Sequence, residues 1–259
     1  MLAQERHQQI LNLLAESGTI RTVDLAEEFQ VTDETIRRDL QILSDNDQLT
    51  RVHGGACSMT GRPSLRSFSE RRGIGIELKH AIAMAALDQV TPGQTYAFDS
   101  STTVFELVSA MPDLPYRVVT NAFEVLAHVT RMQNVELIST GGRYHHKTET
   151  FTRSDSYTAL RRHNINIAFI SSIGLDVNRG VSEGFEEQAG FKEYLVKVAE
   201  KVVLLIDSSK LNKCSEYFFA ELKDISQIIT DEHADPAYVD ELRKRGCQVT
   251  IGSQENLPT

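Results

Sequence analysis

The residues best suited to bind an anion form a polar run directly after a short apolar segment: Asp99, Ser100, Ser101, Thr102 and Thr103. Hydroxyls and backbone amides at the point where a loop enters a helix can hold a phosphate group. Polar residues also follow four later apolar segments: Thr120-Asn121, Gly141-Gly142, Gly174-Leu175-Asp176 and Asp207-Ser208-Ser209-Lys210. Each such loop alone is explained by turn chemistry, but the five together predict one ligand site.

The elements that must position these loops alternate between short apolar runs and helical patterns, which predicts a mostly parallel α/β sheet flanked by helices. The predicted strands are Tyr96 to Phe98, Arg117 to Val119, Val135 to Ile138, Ile167 to Ile170, Val202 to Ile206, Ile228 to Ile229 and Val249 to Ile251. The predicted helices are Ile76 to Leu87, Thr103 to Ala110, Phe123 to Thr130, Ser156 to Arg162, Glu187 to Ala199 and Pro236 to Arg245. Ligands bind at the carboxyl ends of the strands in such sheets, so we expect the polar loops at one edge.

A second group of residues, near the start of the chain, predicts a helix that presents charged side chains. Thr32 is placed as its N-cap, and the acidic residues after it suit the first turn. At about 100° per residue, three apolar side chains share one stripe: Ile36, Leu40 and Leu43. The opposite side is polar, with Arg37 at its flank: Glu34, Arg38 and Gln41.

Two further helices are predicted upstream of Thr32. The first carries Ile10, Leu11, Leu13 and Leu14 and stops at Ser17-Gly18. The second is capped by Thr22 and carries Leu25, Ala26 and Phe29. Only Gln30-Val31 separates it from Thr32, and so tight a turn is typical of a helix-turn-helix unit, whose second helix enters the DNA major groove.

Arg38 is the first candidate for a base contact, because arginine binds guanine in a bidentate way, while Gln41 and Glu34 suit adenine and cytosine edges. Leu49 to Val52 predicts a short strand and Gly54-Gly55 a turn, beside which two basic residues could hold phosphates: Arg51 and His53. The predicted DNA-contacting set is completed by Thr32, Thr35 and Arg37. Periodicity alone leaves a plain amphipathic three-helix unit open as an alternative.

Three segments resemble the amino-terminal domain of DeoR-type sugar-operon regulators: Asp24 to Val31, Thr35 to Leu40 and Leu49 to Ala56. The resemblance implies that residues 1–57 form a winged helix-turn-helix domain that binds double-stranded operator DNA. One departure is visible, since the family turns with glycine before the wing where this chain has Asn46-Asp47-Gln48. Asn and Asp tolerate a left-handed backbone, so we expect the turn to survive.

The remainder of the chain resembles the effector domain of the same family, which is similar to ribose-phosphate and glucosamine-phosphate isomerases. The resemblance implies that a phosphorylated sugar binds there, with its phosphate on the loop from Asp99 to Thr103. It also implies a sugar pocket lined by Thr120, Asn121, Gly141, Gly142, Gly174 and Asp176. Lys192 and Lys210 would add charge or anchor the structure. Apart from the resemblance, Glu187 belongs to an acidic group that precedes a predicted helix, where it either suits the helix amino end or touches ligand hydroxyls.

The identity of the sugar is suggested by departures from the family pattern. Glycine is common in the family where this chain has Ser101 and near Arg153 and Ser171, and bulkier side chains there would narrow the pocket. The first loop, together with the run from Leu137 to Gly142, is similar to regulators of fucose-type deoxysugar operons. The resemblance therefore implies a phosphorylated deoxysugar.

Composition and charge bound the organisation of the chain. A length of 259 residues with 41% hydrophobic content predicts two domains. Residues 58–73 contain four arginines with Gly61 and Pro63, and predict a linker that approaches DNA or serves as a solvated hinge; residues 74–259 form the effector domain. The net charge of -9 opposes DNA binding, as do the 5 Arg against 10 acidic residues in the first 57. We therefore expect the arginines to cluster on one face.

No apolar run is long enough for a membrane span, and Met1 to Gln9 is too polar for a signal peptide, so a cytoplasmic location is expected. Cys57, Cys214 and Cys247 lack metal-ligand spacing and predict ordinary thiols. The adjacent histidines in Tyr144-His145-His146-Lys147 point in different directions on a strand, which disfavours a metal site and leaves an effector-closing loop or a plain surface loop. Neither a cofactor nor a metal is predicted.

Three function classes remain open at this stage. The favoured one is a transcription repressor in which sugar phosphate binding shifts the population of DNA-binding states. The second is a sugar-phosphate isomerase with a DNA-binding extension, whose general base would be Asp99, Asp176 or Glu187. The third is an architectural DNA-binding module without a ligand. A homodimer or homotetramer is expected, because one helix-turn-helix contacts only one half-site.

Overall fold

Three hydrophobic cores organise the chain: one lies near the amino terminus and two lie against a large central sheet. The computed structural model describes residues 3–17, 19–46, 48–52, 54–58, 67–152 and 160–253. Within these ranges, no helix is both long and apolar enough to cross a membrane.

The amino-terminal core is enclosed by three helices and a small sheet. In chain order the elements are α1 (Ala3–Ser17), β1 (Thr19–Arg21), α2 (Thr22–Phe29), α3 (Asp33–Asp45), β2 (Leu49–Val52) and β3 (Gly55–Ser58). The three strands pair antiparallel in the order β1-β3-β2. The predicted apolar stripe of α3 is confirmed, because three of its side chains are at most 2% exposed: Ile36, Leu40 and Leu43.

One of the two predicted helix caps is present. Thr32 precedes α3, and its hydroxyl accepts a hydrogen bond from the Thr35 amide at 3.3 Å. The prediction for Thr22 is wrong, because Thr22 is the first residue of α2 and its amide donates to the carbonyl of Gly54 at 2.8 Å. The wing therefore supplies the acceptor at the start of α2, and no side-chain cap is needed.

The strand β1 was not predicted, and it explains the glycine at position 55. Gly55 pairs with Arg21, and a Cβ at Gly55 would lie 2.0 Å from the carbonyl oxygen of Ile20. Only glycine allows the two backbones to approach so closely. Gly54, with a φ of +83°, makes the turn that was predicted for both glycines. At the other turn, Asn46 has a φ of -91° rather than a left-handed value, and Asp47 lies outside the described residues.

Part of the predicted linker forms a helix packed on the second domain. Residues 59–66 lie outside the described ranges, but α4 (Phe68–Gly73) begins with a capping box between Ser67 and Glu70. The Phe68 ring meets the Phe105 ring edge-on, with centroids 5.2 Å apart. Residues 68–73 therefore form a capped helix held on α6 rather than a solvated hinge, and their approach to DNA stays a prediction.

The second domain is built on a seven-stranded sheet in which every pair of neighbours is parallel. Its strands, in spatial order, are β15 (Val249–Gly252), β14 (Gln227–Asp231), β12 (Ala199–Leu205), β9 (Ile165–Ile170), β4 (Thr95–Phe98), β5 (Arg117–Thr120) and β6 (Glu136–Ser139). The helices are α5 (Ile76–Leu87), α6 (Thr102–Ala110), α7 (Phe123–Val129), α8 (Glu186–Val198) and α9 (Pro236–Lys244). The predicted α/β fold is confirmed.

Both faces of the central sheet are buried, as expected when helices cover a parallel sheet on both sides. Along β4, Tyr96 and Phe98 belong to one core while Ala97 belongs to the other. The helices α5, α6 and α7 contribute to the first core, and α8 and α9 contribute to the second. The chain leaves β4 outward to β6 and returns to β9 on the other side of β4, so the strand order reverses between β4 and β9.

Two smaller sheets accompany the central one. β10 (Gly174–Asp176), β11 (Gly180–Glu183) and β13 (Tyr217–Ala220) form an antiparallel sheet, and β7 (Arg143–His145) pairs with β8 (Thr150–Thr152) in a hairpin. The prediction of a loop at Gly174-Leu175-Asp176 is therefore wrong, because these residues pair with β11. The predicted helix Ser156 to Arg162 falls largely on residues 153–159, outside the described ranges.

Candidate functional site

A cavity of about 340 Å³ opens where the strand order reverses, outside the carboxyl ends of β4 and β9. Ligands bind preferentially at such reversal points in open α/β sheets, because the loops of the two halves diverge and leave a crevice. The lining residues come from α4, α5, the start of α6, α8, the hairpin loop and several strand ends: Arg71, Ile74, Gly75, Leu78, Lys79, Ser100, Ser101, Thr102, Lys147, Thr148, Ser172, Ile173, Glu183, Phe185, Gln188, Lys192, Asp207, Ser209 and Lys210.

The loop after β4 leads into α6 and faces the cavity. Ser101 caps α6 by accepting from the Val104 amide at 3.2 Å. The buried Asp99 carboxylate accepts from the amides of Ser101 and Ser171 at 2.9 and 2.8 Å, and so ties the loop after β4 to the loop after β9. The arrangement leaves the first turn of α6 at the cavity wall, where helix amides favour an anion.

Lys192 lies buried between two carboxylates beneath the cavity. Its ammonium is 3.1 Å from Asp99, donates to Glu183 and donates to the Ser171 carbonyl at 2.8 Å. Burial disfavours the charged ammonium, but Asp99 and Glu183 outweigh that effect and raise the pKa of Lys192. The charge of Lys192 is therefore already balanced inside the protein, which makes it an anchor of the floor.

Other cations in the cavity are less completely neutralised. The Lys79 ammonium donates to the Arg71 carbonyl, and burial together with Lys210 lowers the pKa of Lys79 to about 8. Lys210 pairs with Asp207 at 3.0 Å. Burial alone would raise the pKa of Asp207, but Lys210 and the Ser209 hydroxyl hold it below its usual value. Five basic side chains against two acidic ones line the cavity, so its field favours an anionic ligand.

The structure brings only part of the predicted effector site to the cavity wall. Five predicted residues line it: Ser100, Ser101, Thr102, Lys192 and Lys210. Four more are buried at the same edge of the sheet without lining the cavity: Asp99, Thr103, Thr120 and Asn121. The Thr120 hydroxyl donates to the Phe98 carbonyl at 2.8 Å, while the side-chain oxygens of Thr103 and Asn121 have no hydrogen-bond partner among the described residues.

The remaining predicted effector residues lie elsewhere. Gly141 and Gly142 form the turn after β6 with positive φ values and are not part of the cavity wall. Gly174 packs against the Lys213 backbone, and Asp176 accepts from the amides of Asn178 and Arg179 at 2.9 Å. Glu187 is exposed on α8, and its neighbour Gln188 instead reaches the cavity and donates to the Ser100 hydroxyl at 3.2 Å.

Sequence reasoning missed two cavity cations, Arg71 and Lys79. Arg71 was assigned to the linker, and its role depends on the packing of α4. Lys79 carried a usable signal, since it is a lone lysine among the apolar residues of α5 and is only 5% exposed. The Lys147 and Thr148 side chains also line the cavity, which places the hairpin loop beside it. No group of three metal-ligating side chains was found in the part of the chain that the structure describes.

The second candidate surface is the polar side of α3. Glu34, Arg37, Arg38 and Gln41 are all exposed there. Arg37 lies 3.8 Å from Glu34, and Gln41 donates to Asp45 at 2.8 Å. Arg38 has no ion-pair partner among the described residues, which leaves its five donors available to a ligand. Thr32 and Thr35 share a hydrogen bond at 2.9 Å between their hydroxyls.

Some of the acidic residues of this domain are paired with basic residues at positions away from the polar side of α3. Asp39 is buried on the inner side of α3, where it accepts from Arg6 at 2.6 Å and lies 2.9 Å from His7. Burial would raise the pKa of Asp39, but Arg6 and His7 outweigh it and hold that pKa below its usual value. Arg21 pairs with Asp24 at 2.7 Å.

Arg51 of the wing braces α3. Its guanidinium donates to the Arg37 carbonyl at 2.7 Å, which fixes the position of the wing against the helix. Arg51 therefore has a structural role, and the predicted contact with a DNA phosphate would have to use the donors of the guanidinium that do not bind Arg37. His53 lies outside the described residues.

Comparisons with known proteins cover both domains. Residues 6–62 match the profile of the DeoR-like helix-turn-helix domain, and residues 75–232 match that of the DeoR C terminal sensor domain. The uncharacterized HTH-type transcriptional regulator YulB of Bacillus subtilis is 35% identical over 250 residues, covering 96% of this chain and 97% of that protein.

Two other relatives have named functions. The L-fucose operon activator of Haemophilus influenzae is 35% identical over 226 residues, covering 87% of this chain and 91% of that protein. The lactose phosphotransferase system repressor of Streptococcus mutans is 33% identical over 236 residues, covering 89% and 93%. Among solved structures, ribose 5-phosphate isomerase A of Methanocaldococcus jannaschii is similar at a TM-score of 0.40 and 16% identity, covering 52% of this chain and 54% of that one. The two domain matches and the relatives together establish that this chain belongs to the DeoR family of helix-turn-helix transcriptional regulators.

Proposed function

We propose that this protein represses a carbohydrate-utilisation operon and that a phosphorylated sugar bound in the cavity controls its affinity for operator DNA. The observation that carries the proposal is the presence, in one chain, of an exposed arginine face on α3 and a cation-lined cavity at the strand-order reversal. Relatives named as an L-fucose operon activator and a lactose phosphotransferase system repressor support a sugar-derived effector.

The chemistry of the cavity suits a sugar phosphate. Backbone amides at the start of α6, with Lys79 and Lys210, supply the groups that bind a phosphate. Gln188 and Ser172 offer hydrogen bonds to hydroxyl groups. Apolar side chains on the same wall, including Ile173 and Phe185, fit a methyl group, so a phosphorylated deoxysugar is the first member of the class to test.

We infer that the cavity binds its ligand without turning it over. A general base needs a carboxylate that can accept a proton from the substrate. The two carboxylates that line the cavity, Glu183 and Asp207, are each ion-paired with a lysine. Of the three bases that the sequence suggested, Asp99 is held by Lys192, Asp176 caps a turn and Glu187 is exposed. Isomerase turnover by the purified protein would contradict this inference.

A homodimer or homotetramer completes the proposal, because a single helix-turn-helix contacts one half-site and two give the usual specific affinity. Its place of action is the cytoplasm, where operator DNA is found. A ligand that prefers one state of the assembly by about 1 to 3 kcal/mol would change operator affinity roughly 5 to 150-fold.

The test is operator binding at fixed salt, titrated with a panel of sugar phosphates and the corresponding free sugars. Release of DNA by a phosphorylated sugar, with no response to the free sugar, supports the proposal. Tightening would keep the ligand coupling but overturn release as its direction. Unchanged operator affinity with a sugar phosphate that demonstrably binds would refute the coupling.

A matched pair of variants at Thr102 sharpens the test, since this residue lines the cavity and is only 5% exposed. Thr102→Glu places a carboxylate where we expect the phosphate, so like-charge repulsion should abolish the effector response while DNA binding persists. Thr102→Gln has the same size without the charge and should retain part of the response. Equal effector responses in the two variants would show that the phosphate does not bind beside Thr102.

A further inference from the structure

Two adjacent arginines on α4 have different partners. The Arg72 guanidinium donates to the buried Glu106 carboxylate at 2.6 Å and lies over the Phe105 ring, 4.8 Å from its centroid. Both partners belong to α6, so Arg72 fastens α4 to the second domain. Its neighbour Arg71 points instead to the cavity, where it is a lining residue.

The Arg71 guanidinium has no carboxylate within ion-pair distance in the part of the chain that the structure describes. It lies over the Phe68 ring at 5.5 Å, and Glu149, Glu183 and Asp99 act on it only through space. Burial lowers the pKa of Arg71, so its charge is held in a partly desolvated position without a direct counter-ion. A planar guanidinium presented in this way suits bidentate binding of a phosphate.

The helix that carries Arg71 contacts α5 and the hairpin loop as well as α6. The Arg71 carbonyl accepts from the Lys79 ammonium, and the Phe68 amide donates at 3.4 Å to Glu149 in the hairpin loop. A two-residue joint, Ile74-Gly75, separates α4 from α5, and Gly75 has a φ of +60°. In the other direction, the chain runs from α4 through residues 59–66 to the wing strand β3. Arg71 and Lys79 therefore place the end of the segment that joins the two domains at the cavity wall.

We propose that Arg71 binds the anionic group of the effector and that α4 thereby transmits occupancy of the cavity toward the DNA-binding domain. This proposal rests on the proposed function, because it requires an anionic ligand in the cavity. A flexible linker could not transmit a ligand contact to the other domain. The helix α4 can, because Arg72 fastens it to α6 and a ligand bound by Arg71 would displace the helix as a rigid unit.

The first experiment measures inorganic phosphate binding to the full-length protein by calorimetry in a phosphate-free buffer. Arg71→Gln should weaken phosphate binding at least about 10-fold, because a charge-assisted hydrogen bond is lost from a partly desolvated site. Arg71→Lys, which keeps the charge but loses the fork, should weaken it less. Arg131→Gln is the matched control, since Arg131 is exposed and follows α7 at the opposite edge of the sheet, and it should bind like the parent.

The second experiment places a reporter on α4. The chain contains no tryptophan, so Ser69→Trp, at an exposed position of α4, gives a single fluorophore. Phosphate should shift its emission in the otherwise native protein, and the shift should disappear in the Arg71→Gln background at phosphate concentrations that saturate it. Circular dichroism melting checks that each variant is folded.

The outcomes separate the two proposals. If the parent binds neither inorganic phosphate nor any sugar phosphate, the proposed effector cavity fails and this inference fails with it. If the parent binds phosphate and Arg71→Gln binds it equally well, the proposed function stands and the role of Arg71 is overturned. An emission shift that persists in saturated Arg71→Gln would overturn the role of Arg71 in transmitting occupancy.

Discussion

Arg38 on α3 and Lys192 in the cavity floor carry positive charge in opposite ways. On α3, Arg38 is exposed and free of ion pairs among the described residues, which suits a polyanion that brings its own counter-ions. In the cavity, Lys192 is 3% exposed and balanced by Asp99 and Glu183. A buried charge is tolerated only when it is paired. The comparison predicts that removing a cation from the cavity floor destabilises the domain, whereas removing one from α3 affects binding alone.

The largest expected effect is that of Lys192→Met. The substitution leaves two buried carboxylates facing each other without a cation, which should lower the free energy of unfolding by about 3 to 5 kcal/mol. Lys197→Met is the matched control on the same helix, because Lys197 is 63% exposed and pairs with the exposed Glu193. Its cost should be below about 1 kcal/mol. Urea unfolding of both variants measures the difference, and equal costs would contradict the comparison.

The next effect concerns the buried ion pair of the DNA-binding domain. Asp39→Asn removes the charge that Arg6 and His7 share, and should cost about 1.5 to 3 kcal/mol at neutral pH. Because the pKa of folded Asp39 is depressed, its contribution is present above the unfolded value of about 3.9 and is lost as the pH falls through the lower folded value. The stability gap between wild type and variant should therefore shrink between pH 7 and pH 3. A gap that does not change with pH would show that the charge of Asp39 is not responsible.

On the exposed side of α3, Arg38→Ala should cost about 1 to 3 kcal/mol of specific operator binding and relax one base position. The free energy of unfolding should change by less than about 0.5 kcal/mol, as is usual for a surface substitution. Arg37→Ala, at the flank of the same helix, should weaken binding to all sequences about equally and reduce the salt dependence by one phosphate contact. An unchanged footprint with Arg38→Ala would move the base contact to another residue.

These contrasts also explain how far the sequence could be interpreted. The polar side of α3 follows from local periodicity, since the spacing of Ile36, Leu40 and Leu43 fixes which side chains face solvent. The seven parallel strands follow from apolar runs buried on both faces. The sequence could not show which side of a helix faces the cavity. Gln188 lines the cavity and Glu187 does not, although the two residues are neighbours.

Arg71 and Lys79 illustrate the same limit over a longer range. The pair lies on α4 and α5, far in sequence from the polar loops, and reaches the cavity only because α4 packs on α6 and α5 lies beside it. Polar residues after an apolar run misled the interpretation at Gly174-Leu175-Asp176, where pairing with β11 makes a strand of a predicted loop. Tertiary packing determines whether such residues reach the cavity, and no local sequence pattern shows that packing.

The smallest expected effect is a pH dependence of anion binding that comes from Lys79. Its pKa of about 8 arises from burial and from the neighbouring Lys210 and Arg71, opposed by Asp207 and Glu106. A bound anion stabilises the charged ammonium and raises that pKa, so binding above pH 8 requires uptake of a proton. Affinity for sulfate, whose own charge is constant in this range, should be level near pH 7 and fall above about pH 8. Lys79→Gln should bind sulfate more weakly and lose this pH dependence, since the arginine of the site stays charged throughout. The same decline in the variant would assign the titration to another group of the cavity.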